Sequence, residues 1–314
     1  MSVPVRPRRA LTALAAGTTL LLSGCGSSQA GSSGSVTIGF VNGSTTPFHT
    51  CLQKAVQQEA KKEGAALLTA NSHQDPGTEL SNIEDMTSRN VDALIVQTVN
   101  VDALKNDIAK AKAANIPIFL TSVTTSDTSG ILGAAVVDLK KVGALDAGWI
   151  AQDTGGKAAQ VGVIAGAPGA ASDLLVSGFT KALPSNAKVV ANQPGMFNAA
   201  KAQDVAENMI QAHPNLQYAF VADEDMALAA RKAFDAAGAK DVKIVTVNGT
   251  DEGLAAVKDG RFSATVANSA MAIGQTAVKN ALGLLDKKKI AKVSHIPILL
   301  VTKDNLEKAP QYCP

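Results

Sequence analysis

The chain is short of the residue patterns that chemistry on a substrate needs. Its four histidines, His49, His73, His213 and His295, show no metal-ligand spacing, and no Gly-x-Ser-x-Gly nucleophile elbow occurs. Gly162 to Gly169 places glycines after an apolar run, but Gly166-Ala167-Pro168-Gly169 has no phosphate-binding lysine and follows no nucleotide fingerprint. No cofactor motif is present and catalysis is unsupported. Nor is there a long basic run after Arg9, and Lys287-Lys288-Lys289 reads as a solvated helix end. Cysteine is scarce as well, with three in 314 residues.

What is present begins at the N-terminus. Arg6, Arg8 and Arg9 precede an apolar run, Ala10 to Leu22, which is short for a membrane span and ends at Leu22-Ser23-Gly24-Cys25. Residues 1–24 are therefore expected to be a signal peptide. The tetrapeptide resembles the bacterial lipobox, which implies lipid attachment at Cys25 and an extracytoplasmic chain held to the outer face of the cell membrane, or a periplasmic one. Residues 25–35 are rich in Gly and Ser and read as a flexible tether. Without its three signal arginines the chain keeps 26 of its 29 Lys+Arg against 27 Asp+Glu, a balance that argues against nucleic acid.

With Cys25 given to lipid, Cys51 and Cys313 are the remaining thiols in an oxidising compartment, and an even pair invites a disulfide. Two unpaired buried cysteines are the other reading. The bridge is preferred because it gives the C-terminal tail a reason to order.

Beyond the tether, short apolar runs alternate with segments of helical period. Val36–Val41 precedes a helix from Pro47 to Glu63, Ala93–Gln97 precedes one from Val101 to Ala114, and Ile116–Leu120 follows. A second series runs from Gln160–Ala165 through Ala199–Ala212 to Lys243–Val247. Runs without polar alternation, separated by amphipathic helices, are strands of parallel sheets covered on both faces. The expected fold is α/β with two doubly wound lobes, and ligands in such folds bind beyond the carboxyl ends of the strands. The loops there are rich in amides and hydroxyls, with two aromatics, Phe48 and Phe197.

From Thr37 to Lys303 the chain resembles the ribose-binding-protein family of sugar importers. The resemblance is carried by Ile38-Gly39-Phe40 with Pro47-Phe48, Leu80-Ser81-Asn82-Ile83-Glu84-Asp85-Met86, Asn90-Val91-Asp92-Ala93-Leu94-Ile95-Val96, Asp225-Met226-Ala227-Leu228, Asn248-Gly249-Thr250 and Asp259-Gly260-Arg261-Phe262. Each is weak alone; their order and spacing are specific. The resemblance implies a type I periplasmic binding protein whose lobes are joined by three crossings. The first lobe would cover 36–137 plus 269–297, and the second 138–268 plus 298–314. It also implies a monomer that closes on a sugar or polyol and delivers it to the membrane permease of an ABC importer, where a separate subunit spends ATP.

In the family, aromatic rings stack on the sugar's apolar faces and planar groups bond its hydroxyls. Carried across, the aromatic pair is Phe48 and Phe197. His49 takes a second aromatic's place, Thr46 an asparagine's, Asp223 an asparagine's, Asn248 an aspartate's and Asn268 a glutamine's. Where ribose binders carry an Asp-Arg pair this chain has Ser122-Val123, and a second arginine corresponds to Leu175. Without either guanidinium, ribose itself would leave hydroxyls unpaired. The ligand expected is a smaller or less hydroxylated polyol or deoxy sugar, or one with an amine facing Asp223. Phe48 and Phe197 could instead be plain core, Asp223 a helix cap and Asn248 a turn residue. A transcriptional regulator sharing the fold would need a helix-turn-helix where the signal stands. A receptor presenting a signalling molecule to a membrane partner is the alternative function.

Overall fold

The computed structural model describes residues 35–314. The expected signal peptide, Cys25 and all of the expected tether except Ser35 lie outside the described residues.

Ala93-Leu94-Ile95-Val96-Gln97 is buried at every position, as a strand covered on both faces must be. It forms β3 (Ala93–Gln97), between β1 (Thr37–Asn42) and β4 (Ile118–Ser122). The sheet is completed by β2 (Ala66–Asn71) beyond β1, and by β5 (Gly133–Val136) and β11 (Val293–His295) beyond β4, all pairings parallel. A second sheet runs β7 (Ala187–Pro194), β6 (Ala159–Ala165), β8 (Tyr218–Val221), β9 (Lys243–Asn248), β10 (Ala264–Asn268) and β12 (Ile298–Val301), parallel except for antiparallel β12. The chain passes between sheets after β5, after β10 and between β11 and β12. Two doubly wound lobes are thus the architecture that the apolar pattern implied, and the three crossings are those that the family resemblance implied.

Helices α1 (Pro47–Lys62), α2 (Pro76–Ser88), α3 (Lys105–Ala113) and α9 (Ala270–Leu285) cover the first sheet, and α4 (Leu139–Thr154), α5 (Ala170–Ala182), α6 (Ala199–Ala212), α7 (Glu224–Ala236) and α8 (Asp251–Asp259) the second. Their starts are chemically fixed. Asp75, Asp223, Thr250 and Ser269 each accept a backbone N–H from the first turn of α2, α7, α8 and α9. In the second lobe Phe179 stacks on Phe220 at 4.4 Å between ring centres.

Two elements differ from the sequence reading in ways that shape the cleft. The helix expected from Val101 begins only at Lys105, because Asn100 Oδ1 accepts the Asp102 N–H and Thr98 Oγ1 accepts the Asn100 N–H, drawing this stretch into turns. The strand expected over Ile116–Leu120 runs from Ile118 to Ser122, which carries Ser122 to the strand end. The tail also departs from its expected place in the second lobe. Ser269 Oγ and Met271 N, at the start of α9, donate to the Gln311 and Tyr312 carbonyls, and the sulfurs of Cys51 and Cys313 stand at bonding distance with Cα atoms 5.0 Å apart.

Helices α4 and α5 pack backbone to backbone at two glycines. A Cβ on Gly143 would overlap the Leu175 carbonyl, and one on Gly178 the Lys140 carbonyl. Neither neighbour can yield, since both are main chain. Gly143→Ala is therefore expected to destabilise the protein by about 1–3 kcal/mol in urea unfolding, while Gly148→Ala on the same helix, where a Cβ meets nothing within 4 Å, should not.

Candidate functional site

Where the carboxyl ends of the two sheets' strands face each other lies a cavity of about 310 Å³. Thr46, Phe48, His49, Ser122, Phe197, Asp223, Asn248 and Asn268, singled out in the sequence, all line it. Leu175 lines it too, whereas buried Val123 does not. The cavity wall also holds Gln74, Gln97, Thr98, Asn100 and Met196, which sequence reasoning did not single out. Gln97 was read as the last residue of a strand, and its signal is a buried amide ending an otherwise apolar run.

Gln97 is oriented by its neighbours. Its Oε1 accepts the Thr121 hydroxyl at 2.6 Å and the Ser122 hydroxyl at 2.9 Å, so its amide N–H groups are left without a protein acceptor among the described residues. Gln97 therefore offers donors to the cavity. On the first turn of α1, Thr46 Oγ1 and His49 Nδ1 share a hydrogen bond of 2.8 Å, and Asn42 Nδ2 donates to the His49 carbonyl at 2.9 Å. Burial pushes the His49 imidazolium down to about 4, so the ring is neutral at pH 7. Phe48 meets it edge-on, with ring centres 5.3 Å apart.

Opposite, Asp223 makes the helix cap that the sequence allowed it and also stands at the cavity wall. One carboxylate oxygen accepts the Met226 N–H at 2.8 Å and caps α7, while the residue lines the cavity. Burial, opposed by the Met226 N–H and reinforced by Asp225 and Glu224, lifts its carboxyl to about 7. Phe197 lies over Gly166, where a Cβ would overlap its ring. Among the described residues no lysine or arginine lines the cavity, so its electrostatics are set by one acid poised near neutrality and one uncharged imidazole.

Two buried glutamates hold the loops that carry these groups. Glu79 on α2 accepts the Thr98 hydroxyl at 2.8 Å and the Val99 N–H at 2.6 Å, with burial lifting its carboxyl to about 7. Glu224 accepts the Gly249 N–H, the Thr250 N–H, and the hydroxyls of Thr250 and Thr265, with burial lifting its carboxyl to about 6. Several loops at the cavity hold left-handed backbone. Of nine non-glycine residues with positive φ among the described residues, five line the cavity: Gln74 (63°), Ser122 (64°), Met196 (62°), Phe197 (48°) and Asn248 (136°). Strain concentrated in this way marks backbone shaped for a ligand.

Comparison with known proteins agrees with this geometry. Residues 38–289 match the periplasmic binding protein domain, and the chain belongs to that family. The ribose import binding protein of Bacillus subtilis is 32% identical over 278 residues, 88% of this chain and 90% of its own length. The xylitol-binding protein of Mycolicibacterium smegmatis is 27% identical, covering 93% of this chain and 84% of that one. Among solved structures, the periplasmic binding protein component of the arabinose ABC transporter from Shewanella sp. ANA-3, bound to α- and β-L-arabinofuranose, superposes with a TM-score of 0.81 at 28% identity, covering 87% of this chain and 93% of that one.

The raised carboxyl of Asp223 has a definite sign in stability. A proton held more tightly in the folded state stabilises it below the ordinary aspartate value, and that contribution is lost as pH rises through about 7. Asp223→Asn keeps the helix cap and removes the titration. From pH 4 to pH 8 the wild-type protein should therefore lose stability relative to the variant, on the order of a few kcal/mol, in urea unfolding at a series of pH values. A constant difference across that range would place the Asp223 carboxyl at its ordinary value.

Proposed function

We propose that the protein is the extracytoplasmic solute-binding component of an ABC importer and that it captures a small neutral or amine-bearing polyhydroxy compound in the cavity between its lobes. The observation that carries this reading is the cavity wall. Two aromatic rings, Phe48 and Phe197, and the amides of Gln97, Asn248 and Asn268 surround it, with no cationic side chain among the described residues. Rings suit the C–H faces of a sugar or polyol, and amides suit its hydroxyls, each serving as donor and acceptor. The relatives named for ribose and xylitol support this ligand class. Leu175 and Ser122, in place of the groups expected in ribose binders, favour fewer hydroxyls than ribose offers.

In this reading the first lobe is 36–137 plus 269–297, the second lobe is built on 138–268 and β12, and rotation at the crossings closes both over the ligand. The chain acts as a monomer and presents its closed lobes to the permease. It is exported by residues 1–24 and held to the membrane by lipid on Cys25, with 25–35 as tether. Cys51 and Cys313 are oxidised in that compartment. No helix of the described residues is long and apolar enough to cross a membrane.

Isothermal calorimetry against pentoses, deoxy sugars, polyols and amino sugars should give saturable binding for at least one of them, and none for sugar acids or sugar phosphates. Phe197→Ala should weaken that binding tenfold or more, about 1.4 kcal/mol or above. Tight binding of a sugar phosphate, unaffected by Asp223→Asn, would sink the assignment. For the anchor, metabolic labelling with a radioactive fatty acid should mark the wild-type protein, and Cys25→Ser should abolish the label and release the chain from membranes.

A further inference from the structure

Past its last strand the chain crosses between the lobes once more. After β12, the 3-10 turns of Lys303–Lys308 pack on the second lobe, where Asn305 Nδ2 donates to the Leu300 carbonyl at 3.0 Å and Lys303 Nζ lies beside Gly260 at the end of α8. The Ala309 N–H still bonds back to Leu306. Two residues later, apart from a bond within the tail from the Gln311 side-chain amide to the Cys313 carbonyl, the partners belong to the first lobe. Ser269 Oγ donates to the Gln311 carbonyl at 2.5 Å, Met271 N donates to the Tyr312 carbonyl at 2.9 Å, and Cys313 meets Cys51 on α1. Helices α1 and α9, which receive the tail, are themselves in close contact, since a Cβ on Gly274 would press on Ala55.

Tyr312 turns this segment inward. It is 4% exposed and packs with Cys51 and Ala270 against Phe48, behind a ring that lines the cavity. Its hydroxyl has no hydrogen-bond partner among the described residues, although it lies within the field of Glu224, Asp223 and Asp225 at the start of α7 in the second lobe. The residue is thus fastened to one lobe by its backbone and exposed electrostatically to the other by its side chain. A lone stabilising disulfide needs no such arrangement.

We propose that the C-terminal tail is a fourth connection between the lobes, closed covalently at Cys51–Cys313, which limits how far the unliganded cleft opens, with Tyr312 as the positioning residue that seats it behind Phe48. The limit follows from chain length. Between Ala309 and Gln311 an extended chain reaches at most about 7 Å, and between Ala309 and Cys313 about 14 Å. Opening beyond the first length must peel Gln311 and Tyr312 from Ser269 and Met271, and the second is a stop. Affinity scales with the fraction of molecules already near the binding-competent arrangement, so a strap that removes wide-open states tightens binding without touching the ligand.

The proposal rests on the hinge closure and the oxidised pair proposed above, and its test separates them. Small-angle X-ray scattering of the ligand-free protein is compared for the wild type, for Cys51→Ser/Cys313→Ser, and for a variant with Gly-Ser-Gly-Ser inserted between Pro310 and Gln311. Because no ligand is added, the result stands whatever compound the cleft takes, and titration of free thiols reports separately on the bridge. The wild type should stay near the roughly 19 Å radius of gyration of a compact unit spanning Ser35–Pro314. Both variants should exceed it, and the insertion should do so with its thiols still blocked and its unfolding cooperative. Tyr312→Ala should widen the molecule with the bridge intact, and Tyr312→Phe should restore the wild-type radius. A wild-type radius for the insertion variant overturns the proposal even if the double serine variant is larger, because partial unfolding alone gives the latter. Two reactive thiols in the unreduced wild type overturn it as well.

Discussion

Glu224 accepts four hydrogen bonds in a place that water does not reach, and the second lobe's half of the cleft is arranged around it. A buried carboxylate is costly unless its oxygens are occupied. Here the occupants are the Gly249 and Thr250 N–H groups and the hydroxyls of Thr250 and Thr265, which together tie the loop after β9 to β10. Gly253 is required by the same contact, since a Cβ there would overlap the Glu224 carboxyl. Asn248 keeps its φ of 136° one residue before this clamp, and Asp223 precedes Glu224 directly, so both cleft residues inherit their positions from it. Glu79 repeats the device in the first lobe at Thr98 and Val99. The two lobes thus share one device: a loop at the cavity is fastened to a helix by a buried acid.

That solution sets the electrostatics of the cavity. Acids buried at the strand ends raise one another, as Glu224 and Asp225 do Asp223, and a cationic side chain in the wall would collapse onto them and leave nothing for a ligand. With Leu175 and Ser122 lining the wall, the acids face an uncharged imidazole and amides instead. In the proposed reading, recognition depends on the planes of Phe48 and Phe197 and on oriented amides such as Gln97, whose oxygen is already spent on Thr121 and Ser122. A wall of this kind discriminates by shape and by hydroxyl placement rather than by net charge.

How much of this was legible in the sequence depended on whether local chain chemistry or distant contact decided each feature. Strand β3 and helix α6 run between the residues that apolar periodicity marks, because their faces are buried along their whole length. The helix after β3 was placed too early because Asn100 and Thr98 bond to nearby main chain, a competition that periodicity does not register. The eight singled-out cleft residues were found because they follow strands or match a family pattern. Gln97 escaped because its role comes from Thr121 and Ser122, 24 and 25 residues away. The two bracing glutamates escaped for the same reason, since nothing about Glu79 or Glu224 in the chain distinguishes them from solvated helix acids.

The tail is the clearest case of an arrangement that only three dimensions could expose. In sequence, a terminal cysteine asks for a partner and nothing more. In the fold, that partner sits two residues past His49 on α1, so the link between the tail and the first helix lies behind Phe48, which lines the cavity. Because the preceding turns belong to the second lobe, the link cannot stabilise one lobe without also tethering it to the other. Tyr312 makes the coupling tighter, since moving the tail away would uncover the back of Phe48 and expose buried ring surface to water. Under the proposed strap, hinge and aromatic wall form one mechanical unit on this side of the cleft, with Tyr312 packed behind Phe48.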